Sequence, residues 1–76
     1  MARLETLSLV EAAARAAAGE PLVVVGGDGA RVGEEVAALR SLGGRAAGFV
    51  GPAGAPLEEM AGELFPGEET VSVVHV

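Results

Sequence analysis

Between Pro21 and Gly26 the chain reads Leu22-Val23-Val24-Val25, four large apolar residues with no polar one among them. A strand that faces water on one side alternates, so a run without alternation belongs to a strand covered on both faces. Valine favours the pleated conformation, and Pro21 blocks a helix from running into it. The stretch therefore demands chain packed above and below it, as in the middle of a parallel sheet. Gly26-Gly27-Asp28-Gly29 follows, and then Val32, Val36 and Leu39 recur at helical spacing until Gly43-Gly44 stops the pattern. Strand, glycine turn and helix over roughly 30–42 are the expected order.

The flanking segments extend this alternation. Ser8-Leu9-Val10-Glu11 has the form of a capping box, followed by an alanine-rich helix that Gly19 can close in the left-handed conformation. Residues 2–7 either lengthen that helix or form a short strand. Ala46-Ala47-Gly48-Phe49-Val50 reads as a second strand, and Gly51-Pro52-Ala53-Gly54-Ala55 as loop. Pro56 suits a first helical position, with Leu57, Met60, Ala61 and Leu64 on one face until Pro66-Gly67. Thr70 to Val76 reads as a final strand. Strands alternating with helices imply parallel pairing and right-handed crossovers. The expectation is one α/β domain over 1–76, a small Rossmann-like sheet of three parallel strands in the order 2-1-3 with about three helices.

A chain of 76 residues with fifteen alanines and two phenylalanines builds a lean core. Small domains compensate with disulfides, metals or partner chains. With no cysteine and one histidine, the partner chain is left, so a homo-oligomer, simplest as a dimer, is expected. Ten glutamates and Asp28 stand against five arginines and no lysine, a net charge of -6. Nucleic acid and anionic membranes both require clustered positive charge, so neither is an expected partner. The first residues hold no apolar run of secretory length, which with the missing cysteines points to the cytoplasm. Asparagine and glutamine are absent too, a composition that suits a thermophilic origin.

In open parallel sheets ligands bind outside the carboxyl ends of the strands. Here that place gathers Gly26, Gly27, Asp28, Gly29, Ala30 and Arg31, the loop Gly51 to Ala55, and His75. Gly27-x-Gly29-x-x-x-Gly33 is a relaxed dinucleotide fingerprint, but Phe49-Val50-Gly51-Pro52 stands where the ribose-binding acid belongs. Over Val23 to Gly29 the chain resembles the GGDG turn of NAD kinases, diacylglycerol-type lipid kinases and phosphofructokinases, which implies a phosphate-facing turn and a functional Asp28. Those families continue with threonine or serine where this chain has Ala30. Leu39 to Gly51 is similar to the helix-to-strand passage of ribokinase-type sugar kinases, without their catalytic residues.

Each feature also has a structural explanation. Glycines let a buried strand turn into its helix, and Asp28 caps that helix. A single histidine near a strand end reads as a surface or interface residue, although with Asp28 it would form an acid–base pair across the strand ends. Glu34-Glu35 and Glu58-Glu59 sit near first helical turns, where the dipole favours them. No catalytic constellation, cofactor site or metal site emerges. Two functions follow: a non-enzymatic homo-oligomeric or partner-binding module, joined through the final strand as an unpaired edge or through the alanine-rich helix; or a binder of a small phosphorylated metabolite or mononucleotide at Gly26–Arg31, with Arg31 flanking the phosphate.

Overall fold

A computed structural model describes residues 3–51 and 56–76. They form β1 (Arg3–Thr6), α1 (Leu9–Ala17), β2 (Pro21–Gly26), α2 (Gly29–Ser41), β3 (Arg45–Val50), α3 (Leu57–Leu64) and β4 (Thr70–His75). The four strands make one parallel sheet in the order β1-β4-β2-β3.

This corrects the expectation of three strands. Arg3–Thr6 is a strand, and it pairs along β4 from Arg3 with Thr70 to Thr6 with Val73. Its four residues carry too little periodicity to separate strand from helix before the pairing is known. The other three strands lie in the expected order, with the valine strand β2 between β3 and β4. The final strand is consequently interior, held by β1 on one side and β2 on the other, and is no free edge.

Crossover handedness decides where the helices go. The steps from β1 to β2 and from β2 to β3 run the same way across the sheet, so right-handed connections put α1 and α2 on one face. The step from β3 to β4 runs back and puts α3 on the other. The core divides accordingly. Leu7, Ala12, Ala16, Leu22, Val24, Val32, Val36, Leu39, Ala46 and Val74 pack on the α1/α2 side. Val23, Val25, Val71 and Val73 pack with Ala61, Leu57, Phe49 and Phe65 on the α3 side. Alternate valines of β2 thus serve opposite layers, and all three are buried, as the unbroken apolar run requires.

The caps form as the residue types dictate. Ser8 Oγ accepts from the Glu11 N–H at 3.2 Å while Glu11 Oε1 accepts from the Ser8 N–H at 3.2 Å, closing the capping box. Gly19, Gly43 and Gly67 alone among the described residues take positive φ, at 78°, 104° and 87°. Gly19 and Gly43 directly follow the caps of α1 and α2, where a left-handed residue ends the backbone ladder, and Gly67 lies in the turn after α3 that Glu68 N–H closes on the Phe65 carbonyl.

Candidate functional site

The carboxyl ends of β2, β3 and β4 bring Gly26 beside Val50 and, one residue earlier along β2, Val25 beside His75. Around these strand ends lie the candidate ligand-binding residues read from the sequence. Pro52, Ala53, Gly54 and Ala55, which belong to the same expected site, lie outside the described residues.

The glycine turn is built by packing rather than by unusual backbone. None of Gly26, Gly27 and Gly29 has positive φ. An anion nest needs successive N–H groups turned inward by a right-handed and left-handed pair, and this turn has no left-handed member. Gly26 is required for another reason. A Cβ there would stand 2.9 Å from the Val76 carbonyl oxygen and 3.0 Å from Val32 Cγ2, so the end of β2 is wedged between the chain after β4 and the first turn of α2. At Gly27 an added Cβ meets nothing within 4 Å, and at Gly29 only Val50 Cγ2 at 3.7 Å.

Asp28 is the N-cap of α2. Its Oδ1 accepts from the Ala30 N–H at 3.0 Å, so the carboxylate occupies the place where a phosphate would meet the helix. Gly29, Ala30 and Arg31 lie within the helix, one element later than a loop reading expects. All three are exposed, and Arg31 makes no ion pair among the described residues.

His75 pairs in register with Val25 and is exposed at the end of β4. Strand alternation sets it on the face of Val71 and Val73, under α3, while Asp28 leads into α2 on the opposite face. No hydrogen bond or ion pair joins the two. Among the described residues no three His, Asp or Glu side chains gather where they could hold a metal ion. No helix there is long and apolar enough to cross a membrane.

A feature missed in the sequence is the outer edge of β3. Arg45 donates its N–H to Glu20 O at 3.4 Å and Gly51 donates to Gly26 O at 3.2 Å, so the odd residues of this strand face β2. Backbone groups alternate sides along a strand, which turns the N–H and C=O of Ala46, Gly48 and Val50 outward. One is guarded: Arg40 Nε donates to the Ala46 carbonyl at 2.9 Å. Val50, half exposed, stands at the strand's end. The opposite edge is shorter. On β1 the odd residues bond toward β4, through Arg3 N–H to Glu69 O and Leu7 N–H to Val73 O at 2.8 Å each, leaving only Leu4 and Thr6 outward between charged neighbours. Only the strand order reveals which strand is outermost.

No family model, curated protein or solved structure matches the chain.

Proposed function

We propose that this domain is a non-enzymatic assembly module that joins another polypeptide by adding a strand to the open edge of β3. The observation that carries it is the outward row of Ala46, Gly48 and Val50, six backbone groups on one strand with Arg40 on a single carbonyl. Unpaired strand edges recruit chains unless they are short, bulged, charged or covered. β1 is short and charged, whereas β3 is longer and carries a charge only at Arg45. A lean core adds to the case, because a partner sheet supplies burial that the domain lacks alone. The order β3-β2-β4 supports a small Rossmann-like sheet serving as scaffold, and the Asp28 cap favours a structural turn over a phosphate site.

Amide exchange followed by NMR from low micromolar to millimolar concentration tests this directly. The Ala46, Gly48 and Val50 amides are expected to gain protection as concentration rises, while Ala47 and Phe49, already bonded toward β2, stay protected throughout. A chain that sediments as a monomer over the whole range, with those three amides always fast, refutes self-assembly at this edge.

A further inference from the structure

Resting on that assembly reading, we infer that the strand added to β3 is the β3 of a second copy, antiparallel to the first about a two-fold axis midway between the two Gly48 residues. In an antiparallel ladder, residues of a hydrogen-bonded pair exchange both their N–H and C=O bonds. With the axis there, Gly48 pairs with its own copy and Ala46 pairs with Val50 of the second copy, twice over. Every outward group of both strands is then used. The Ala46 carbonyl has a second lone pair and keeps Arg40. Two four-stranded sheets become one continuous sheet, and the contact closes. Parallel addition would leave another open β3 and keep growing.

The helices above the edge fit the same axis. α2 packs on β2 as well as β3, which sets its axis back from the edge, so the two copies of α2 stand about 8 to 10 Å apart, the usual spacing of packed helices. Its flank toward the edge is marked by Gly29, near Val50, and by Arg40, on the Ala46 carbonyl. Helical spacing adds Gly33 to that flank, and a Cβ there meets nothing within 4 Å.

Opposite charges stand level with one another across this contact. A Cβ on Gly48 would touch Val32 Cγ1 at 2.7 Å and Val36 Cγ2 at 3.1 Å, so the axis crosses α2 near residue 34. Arg40 and Asp28 lie on opposite sides of that level, each about 9 Å away along the helix. Neither has an ion-pair partner among the described residues. Antiparallel helices bring Arg40 of each copy level with Asp28 of the other. Glu34 opposes association, since it is exposed on the solvent side of α2 at the level of the axis, where it stands level with its own copy, and the charge of -6 on each chain acts in the same direction. Added salt therefore strengthens this dimer by screening the net repulsion.

The natural chain has no cysteine, so one introduced thiol is unique. Under mild oxidation Gly33→Cys is expected to form a disulfide-linked dimer, whereas Glu58→Cys on α3 stays largely monomeric. In sedimentation Glu34→Lys should tighten association several-fold and Arg40→Glu should weaken it several-fold. If the Gly33→Cys chain fails to fold, the two charge variants decide the matter. A dimer with protected Ala46, Gly48 and Val50 amides, but no Gly33→Cys cross-link or inverted charge effects, overturns this geometry and leaves strand addition standing. Growth beyond two chains also overturns it. A monomer at every concentration overturns the two-fold dimer and, with it, self-assembly at this edge.

Discussion

Two glycines that look alike in the sequence should respond oppositely to the same added methyl group. At Gly44 a Cβ would stand 2.7 Å from Ala16 Cβ, 2.9 Å from Ala16 Cα and 3.1 Å from the Leu39 carbonyl oxygen. Carbon atoms in good contact sit about 3.5 to 4.0 Å apart, so α1 would have to retreat by about 1 Å. Two of the three obstructing atoms are backbone, and no rotamer change relieves them. Ala16 and Ala12 are the only buried residues of α1, so this retreat loosens its whole seat on the core. Overpacking of this kind costs about 1 to 3 kcal/mol. Gly62 lies within α3 with nothing inside 4 Å of its would-be Cβ, and alanine there gains about 0.5 to 1 kcal/mol from a less flexible unfolded chain. In a domain this small each kcal/mol moves Tm by about 4 to 8 °C. Thermal and urea unfolding followed by far-UV circular dichroism, at one low concentration, should show Gly44→Ala melting below the natural chain and Gly62→Ala a few degrees above it. Equal stability of Gly44→Ala and the natural chain would mean that α1 does not rest on the α2–β3 turn.

Ser8→Ala removes the hydroxyl that accepts the Glu11 N–H and should cost about 1 kcal/mol in the same urea assay. The Glu11 carboxyl is held below its ordinary value of 4.5, chiefly by the backbone hydrogen bond from Ser8 and then by the Ser8 hydroxyl. A depressed carboxyl stabilises the fold above its unfolded pKa and loses that contribution as pH falls through the folded one. The stability gap between the natural chain and Glu11→Gln should therefore be constant near neutrality and narrow below the ordinary carboxyl range. Asp28→Ala releases the Ala30 N–H at the start of α2 and should cost about 1 kcal/mol, a loss that Asp28→Ser largely recovers. Inorganic phosphate up to millimolar concentration should leave the Tm of the natural chain unchanged beyond its effect as a salt, and a saturable rise would restore the glycine turn as an anion site.

Local chemistry made much of the fold legible. Leu22 to Val25 announced a doubly covered strand, Ser8 and Glu11 a helix start, and Gly19 and Gly43 helix ends, because each depends on residues within one turn of chain. β1 stayed ambiguous since Arg3-Leu4-Glu5-Thr6 becomes a strand only through pairing with Thr70 to Val73, far along the sequence. That pairing also turned the final strand from edge to interior, which removes it as the contact surface. In the candidate site, Asp28 was readable as a cap. The purpose of the glycines was not, because Gly26 answers to Val76 and Val32, and Gly48 to Val32 and Val36, all contacts between elements.

The placement of β4 has a kinetic consequence. β1 and β2 do not touch as strands; β4, which follows all the others along the chain, alone bridges them, pairing Leu4 with Val71 and Val73 with Val23. Ordering must bring Arg3 beside Thr70 before the sheet becomes continuous, a long loop closure that slows folding at a given stability. On the ribosome β2, α2 and β3 can form a βαβ unit early, but the valine edge of β2 waits uncovered until residues 70–75 leave the exit tunnel. Co-translational completion of the sheet is thereby deferred until β4 emerges, and the charge of -6 over these residues acts to keep that edge from neighbouring chains.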